Sequence, residues 1–310
     1  LLLRNFAVSN KYLVMKIFVT GATGFIGSAI VQELIGAGHQ VVGLARSDAA
    51  AQSLIAAGAQ VHRGGLEDLE SLKSGASESD GVIHTGFIHD FSRFQEVCET
   101  DRRAIEALGS ALIGSGRPLI VTSGVALLAS DKLTIEEDVS TSPFPRIASE
   151  QAADAVAAKG VRVAVVRLSP SVHGAGEHGF VPILINTARE KGVAAYIEDG
   201  LNHWPAIHRL DAAKLYRLAI EYQFTAGTRF HGVAEEGITV KDIAEVIGKR
   251  LNVPVTSISA EEAANHYGWF AHFAGVNIRS SSKITRESLG WQPTQLRLIE
   301  DVDNDYYFSI

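Results

Sequence analysis

Strands alternate with helices, a glycine loop joins the first strand to the first helix, and several strands are nearly unbroken apolar runs. These observations predict an α/β fold: a Rossmann-type doubly wound parallel sheet with a smaller C-terminal cap. Residues 16–20, 119–122 and 161–167 carry the last signal, because a strand buried on both faces has no polar side to show. Of 310 residues, 46% are hydrophobic and 20% charged, enough apolar material for one large core or two modest ones.

The elements follow in order. Residues 16–20 form the first strand. Residues 26–36 form a helix with Ile26, Ile30 and Leu34 on one face, stopped by Gly36 and Gly38. Residues 40–45 are the second strand, 49–57 a small-residue helix closed by Gly58, and 60–62 are strand-like. A short helix over 69–74 leads to a strand over 81–84. A long amphipathic helix over 101–112, a fifth strand over 118–122, a helix over 149–158 and a sixth strand over 161–168 complete this half. After Arg167 the texture changes. Residues 169–178 are glycine-rich and loop-like, and helices are expected over 182–190, 210–222, 240–251 and 260–270.

The glycine loop carries the chemistry. In Gly21-Ala22-Thr23-Gly24-Phe25-Ile26-Gly27 the glycines let backbone amides approach a pyrophosphate at a helix N-terminus. Gly21, Thr23, Gly24, Phe25, Ile26 and Gly27 therefore form the centre of a dinucleotide site. The second strand ends at Arg46 and Ser47, without the acid that usually takes ribose hydroxyls. An arginine fork suits a 2′-phosphate, so NADP(H) is preferred and NAD(H) is the alternative. Asp48, next along, could neutralise Arg46.

On this reading residues 15–171 are the dinucleotide-binding domain. Residues 172–310 are mainly a substrate-binding cap, with segments around 208–230 returning to the sheet core. Residues 1–14 are too short and mixed for a membrane span or signal peptide, and read as an N-terminal extension ahead of a natural start at Met15. Net charge is −7, which draws the chain to neither nucleic acid nor an anionic membrane. The single cysteine, Cys98, forms no intrachain disulfide and reads as a small buried hydrophobe in a cytoplasmic protein. No metal-ligand spacing is present, so no metal is expected.

Four further segments accompany the glycine loop: Val82-Ile83-His84-Thr85-Gly86, Val121-Thr122-Ser123-Gly124, Arg167-Leu168-Ser169-Pro170-Ser171-Val172-His173-Gly174 and His208-Arg209-Leu210-Asp211-Ala212-Ala213. Together they resemble the extended or atypical short-chain dehydrogenase/reductase family, which is epimerase/dehydratase-like, over nearly the whole chain from Met15. The resemblance implies about seven strands and a homodimer through the helices near 101–112 and 149–158. It also implies cofactor contacts from Leu66, Thr85, Gly86, Phe87, Thr122, Glu150, Pro170, Ser171 and His173. Finally it implies a catalytic Ser or Thr, with a Tyr and a Lys four residues apart on a helix. In Pro145-Arg146-Ile147-Ala148-Ser149-Glu150-Gln151, Arg146 stands at the Tyr position and Glu150 at the Lys position.

That departure shapes the catalytic candidates. Arg146 and Glu150, spaced i and i+4, would share a helix face and pair for about 0.2–0.5 kcal/mol if exposed. In a cleft, Arg146 could polarise a carbonyl or anchor an anion while Glu150 accepts from the ribose. Ser123 is the hydroxyl candidate, since Gly124 falls at the family's catalytic place. His89, in a loop at the C-terminal end of the sheet, is the leading replacement proton donor. His84 reads as a backbone-bonded structural histidine, His173 and His178 flank a glycine-rich loop, and residues 202–208 could close over substrate. The resemblance gives His208 and Asp211 a part in fixing a cap helix. Aromatic residues such as Phe87, Phe91, Phe94 and Trp269 suit an apolar carbonyl better than a sugar nucleotide. The expected function is NADP(H)-dependent reduction of small or apolar aldehydes and ketones. A non-catalytic dinucleotide-binding redox sensor or interaction protein, and an epimerase or dehydratase of an activated sugar, are the alternatives.

Overall fold

Apolar strands need cover on both faces, and the chain supplies it with helices on each side of one sheet. A computed structural model describes residues 14–309, so the expected N-terminal extension lies outside the described residues except for Val14. Strands β1 (Lys16–Thr20), β2 (Gln40–Ala45), β3 (Gln60–Arg63), β4 (Gly81–His84) and β5 (Pro118–Gly124) join Arg162–Leu168 and Thr228–Gly232 in a seven-stranded sheet. Every neighbouring pair is parallel. The order is Thr228–Gly232, Arg162–Leu168, β5, β4, β1, β2, β3. The chain runs outward through β2 and β3, then crosses back to lay β4 beside β1. That reversal opens a crevice at the C-terminal ends of β1 and β4, where ligands bind in open α/β sheets.

Among the described residues the helices of nine or more residues are α1 (Phe25–Gly36), α2 (Asp48–Ala56), α3 (Leu69–Ser77), α4 (Phe94–Ser110), α5 (Ala148–Ala157), α6 (Phe180–Lys191), α7 (Arg209–Glu221) and α8 (Val240–Leu251). One core joins Ile30 and Leu34 of α1 and Leu215 and Ile220 of α7 to Ile17, Val19 and Ile83. The opposite core joins Ile105 and Leu108 of α4 and Val156 of α5 to Phe18, Val82 and Val121. Ile17 and Val19 face one way and Phe18 the other, as the two-residue period of a strand requires. Each fully buried Ile, Leu or Val contributes about 1.5–3 kcal/mol.

Two helices begin two or more residues earlier than their sequence patterns suggest. α4 starts at Phe94 rather than 101, because Gln95, Glu96 and Glu99 are exposed or half-exposed polar residues that blur the stripe begun by Val97 and Cys98. α6 starts at Phe180 rather than 182, leaving Pro182 in the first turn, where its missing N–H breaks no helical bond. The edge strand Thr228–Gly232 was not anticipated; it is short and begins with a half-buried Thr and Arg.

The cap has its own core around Ile185, Trp204, Ile243, Ile247, Phe270 and Leu298. Its three-stranded sheet runs Glu235–Thr239, His203–His208, Ser171–His173, and a second pair joins Ala194–Ile197 to Val255–Ile258. This corrects the expectation that residues 202–208 close over substrate. They are the middle strand of a sheet, bonded on both edges, with Trp204 fully buried. The C-terminal tail is stitched back onto the start of α7: the Asp211 carboxylate accepts from Thr294 N–H at 2.9 Å and Gln295 N–H at 3.0 Å. Cys98 is fully buried, and burial pushes its thiol up to about 11, so it is inert packing. Among the described residues no helix is long and apolar enough to cross a membrane.

The glycine loop sets a sharp contrast within α1. A Cβ at Gly27 would lie 2.0 Å from the Gly21 carbonyl oxygen, whereas one at Gly36 meets nothing within 4 Å. Gly27→Ala should therefore lower unfolding stability by about 1–3 kcal/mol in urea titrations. Gly36→Ala should be neutral or gain up to about 1 kcal/mol. Equal midpoints for the two variants would refute the close approach.

Candidate functional site

The crevice between β1 and β4 is closed by backbone contact. Gly21 has φ of +65°, and a Cβ there would sit 2.7 Å from Gly86 N, so both the conformation and the space demand glycine. Gly24 N–H donates to Gly21 O at 2.9 Å and the Thr85 hydroxyl to Thr20 O at 2.8 Å. The Leu66 side chain bounds the same spot, since a Cβ on Gly86 would be 2.9 Å from it. Thr23 and Gly24 are exposed while Phe25 and Ile26 are half-buried. A cradle that any Cβ would fill, opening onto the N-terminus of α1, fits a dinucleotide pyrophosphate.

At the tip of β2, Arg46 and Ser47 are both exposed, and Ser47 caps α2 by accepting from Ala50 N–H at 3.2 Å. Asp48 does not neutralise Arg46. Its carboxylate pairs with Arg63 at 2.6 Å, and Arg46 makes no ion pair among the described residues. Two guanidinium groups therefore stand at the ends of adjacent strands.

The residues implied further along divide into two groups. Pro170 is half-buried, and the Ser171 hydroxyl is fully buried with no partner, so it has hydrogen-bonding capacity to offer. Thr122, His173 and Glu150 are committed within the protein. The Thr122 hydroxyl donates to His84 O at 2.8 Å and meets the Tyr216 phenol at 2.7 Å. His173 Nδ1 meets Asp301 at 2.7 Å.

Arg146 and Glu150 do not pair with each other. Arg146 lies in the 3-10 turn Pro145–Ile147, ahead of α5, so the i,i+4 geometry of a regular helix does not apply to it. Its guanidinium donates to Asp101 Oδ2 at 2.9 Å and to Thr122 O at 3.1 Å, and lies 4.3 Å over the Phe87 ring. Glu150 turns to Arg167, which donates through Nε and Nη2, both at 2.8 Å, in a buried fork. Burial raises the Glu150 pKa, but the Arg167 bonds and charge, with the Ser123 bond, outweigh it and hold the carboxyl below its usual range. The Ser123 hydroxyl donates to Glu150 at 2.9 Å, so its proton is already engaged.

Sequence reasoning missed Asp101 as a functional residue. This carboxylate, 1% exposed, sits on the apolar stripe of α4 beside Val97, Cys98, Ala104, Ile105 and Leu108, and a charge on a core stripe is the signal that marks it. Its Oδ1 meets His84 Nε2 at 3.0 Å, and its Oδ2 accepts from Ser149 at 2.5 Å as well as from Arg146. His84 Nδ1 in turn meets the Thr20 hydroxyl at 2.7 Å, and that oxygen accepts from Gly86 N–H at 3.2 Å. His84 is thus bonded through side chains, not the backbone bond expected of it. Burial raises the Asp101 pKa, and Arg146, His84 and Ser149 together bring it below the ordinary value.

His89 stands apart from this network, its ring edge-on to Phe87 at 5.4 Å. Partial burial, then the His178 and Arg146 charges, hold its pKa below the ordinary histidine value. His178 lies edge-on to Phe25 at 5.9 Å, so the glycine-rich loop reaches over the start of α1. A Tyr-x-x-x-Lys spacing does occur at Tyr12 and Lys16, but Lys16 opens β1 at the opposite end of the sheet from the glycine loop.

Known proteins bear on this geometry. The NAD dependent epimerase/dehydratase family matches residues 17–230. An uncharacterized protein of Schizosaccharomyces pombe is 53% identical, covering 95% of this chain and 100% of its own. A 2-alkyl-3-oxoalkanoate reductase of Stenotrophomonas maltophilia is 30% identical over 67% of this chain and 66% of its own. Among solved structures, a dTDP-glucose 4,6-dehydratase from Streptomyces venezuelae with NAD bound superposes with a TM-score of 0.75 at 18% identity, covering 95% of this chain and 97% of that one.

The Glu150–Arg167 fork has a measurable consequence. Arg167→Met would leave the Glu150 carboxylate buried, and stability at pH 7 should fall by about 3–5 kcal/mol. In the parent protein the depressed Glu150 pKa contributes stability that is present above the unfolded value and lost as pH falls through the folded one. In the variant the Ser123 bond and the Arg229 charge 3.6 Å away remain, but losing the Arg167 bonds and charge lets burial raise that pKa relative to the parent, so its deficit should shrink between pH 7 and pH 5. Denaturant titrations at the two pH values check this; a deficit that does not change with pH would contradict it.

Proposed function

The chain belongs to the NAD dependent epimerase/dehydratase family, and from that premise we propose that it is an NADP(H)-dependent reductase of small or apolar aldehydes and ketones. The observation that carries the proposal is Arg146, anchored by the buried Asp101 and backed by the Phe87 ring where the family's tyrosine would stand. Gly21, Gly24 and Gly27 with the α1 N-terminus would hold the pyrophosphate, Arg46 the 2′-phosphate, and Ser171 one of the remaining polar groups. A bound nicotinamide would supply or accept hydride there.

The protein's own part is electrostatic. Arg146 spends one donor on Asp101 and one on Thr122 O, and its other N–H groups are free to donate to a carbonyl oxygen as that oxygen gains charge. A guanidinium does not serve as an acid, so the alcohol proton comes from His89 or from water. With its hydroxyl engaged by Glu150, Ser123 supports the site through that carboxylate and not as a free donor. Phe87 and its aromatic neighbours keep water from the substrate.

The second reading is a dinucleotide-binding sensor or interaction module without hydride chemistry. The internal fork between Glu150 and Arg167 favours it, because that carboxylate has no oxygen free of the protein's own donors. A panel of aldehydes and ketones with NADPH and NADH separates the two. Turnover supports the reductase; tight cofactor binding with no turnover supports the module.

Two outcomes are expected. Arg46→Ala should raise the KM for NADPH about tenfold or more and barely change that for NADH. Equal effects on both cofactors would remove the NADP preference. His89→Gln should lower kcat by about 10²–10⁴-fold. Because burial and the His178 and Arg146 charges hold the His89 pKa below the ordinary histidine value, the donor form is populated at low pH. Parent kcat should therefore rise as pH falls through that pKa and be lost above it, while the variant's profile should be flat over the same range.

A further inference from the structure

The aromatic wall behind Arg146 continues outward to solvent, and its rim holds two large side chains left exposed. Phe91, in the turn Phe91–Arg93 ahead of α4, is 45% exposed. Trp269, in the cap turn Gly268–Phe270, is 58% exposed. Their rings stack at 5.2 Å and 24° across the mouth, one from the sheet half and one from the cap. Inward, Phe91 stacks on Phe94 at 5.7 Å, Phe94 packs on Phe87 at 6.3 Å, and Phe87 carries the Arg146 guanidinium at 4.3 Å. A continuous line of rings thus leads from the rim to the site. A stacked pair shared between two halves, facing water and pointing down such a line, is built for a ligand more than for the fold.

The rim also limits the ligand's chemistry. Apart from His89, whose ring lies 6.3 Å from that of Phe91, the polar groups beside Phe91 satisfy one another: Asp90 accepts from the Ser92 hydroxyl at 2.5 Å and from Arg93 Nε at 3.0 Å. That leaves ring faces, not hydrogen bonds, as the means of recognition. We propose that Phe91 and Trp269 are a two-jawed clamp for a planar aromatic ring, and that the substrates are aromatic carbonyl compounds. The substrate class rests on the reductase reading; the clamp itself does not. The two rings rest 5.2 Å apart, so they part to about 7 Å, two stacking gaps, to take a ring between them, and the carbonyl then reaches inward along Phe94 and Phe87 toward Arg146.

Intrinsic fluorescence isolates the clamp. The chain has three tryptophans; Trp204 and Trp291 are fully buried, so Trp269 alone is open to an ionic quencher. Full-length protein saturated with NADP+ would be titrated with iodide in the presence of benzamide or butyramide, non-reducible analogues of an aromatic and an aliphatic aldehyde. Benzamide should shield Trp269 and butyramide should not, and Phe91→Leu should abolish the shielding while Trp269→Leu removes the quenchable signal. In turnover, each variant should lower the benzaldehyde-to-butanal ratio of kcat/KM about tenfold, or 1.4 kcal/mol. Iodide quenching indifferent to benzamide, or an unchanged ratio, would overturn the clamp. If no carbonyl is turned over, the reductase reading falls, and the iodide measurement still decides the clamp on its own.

Discussion

A carboxylate buried in an apolar core has to be answered by donors, and the answer to Asp101 organises this site. Its partners come from three different elements: His84 ends β4, Arg146 sits in the turn before α5, and Ser149 lies within α5. Through His84 the network reaches Thr20 at the end of β1, and Thr20 in turn fixes Gly86 against the glycine loop. The floor of the crevice is therefore one connected polar body. A shift of any member leaves a buried charge or hydroxyl unmatched, and that cost keeps the floor rigid.

The same logic explains why two opposite charges four residues apart, Arg146 and Glu150, do not pair with each other. Arg146 and Glu150 are neighbours in sequence, but each is neutralised by a partner on another element: Asp101 on α4 for one, Arg167 on the strand Arg162–Leu168 for the other. They form two separate ion pairs, Arg146–Asp101 and Glu150–Arg167. One faces the aromatic wall and the other is sealed inside with Ser123. Neither pair belongs to the glycine loop or to the strand tips, so the cradle between β1 and β4 is built apart from both.

What could be read from sequence follows from how local each feature is. The glycine loop, the apolar strands and the stripes of the main helices lie within short windows, and they appear in the structure where the sequence puts them. The ion pairs lie beyond such windows: Arg146 reaches 45 residues back to Asp101, and Glu150 reaches 17 forward to Arg167. The expected pairing of Arg146 with Glu150 assumed continuous helix, and one turn of 3-10 geometry removed the basis for it. The strand His203–His208 was hidden by Pro205, which normally argues against a central strand. The structure accommodates it with a shift of register between Trp204 and Ala206, where a proline's missing N–H interrupts no regular ladder.

The cap adds a second reason why the cofactor side is easier to read than the substrate side. The loop 174–178 reaches the start of α1 through His178 on Phe25, and through Arg209, which lies 5.1 Å over the same ring and donates to Ala175 O at 3.2 Å. The C-terminal tail holds that loop in place: the Tyr307 phenol accepts from Gly174 N–H at 3.0 Å and donates to Glu177 at 2.6 Å, while Asp301 holds His173. Burial pushes the Glu177 carboxyl up to about 8, with Asp301 adding to the rise against the Tyr307 bond, so the tail fastens the loop most cheaply while that carboxyl keeps its proton. The surroundings of Arg146 and of the start of α1 thus come from stretches of chain far apart in sequence: the loop after β4, the turn near Trp269, and a loop fastened by the last residues. No single window holds enough of them to name a substrate, whereas the glycines of the cradle fall within one window, Gly21 to Gly27, with only Thr85, Gly86 and Leu66 arriving from outside it.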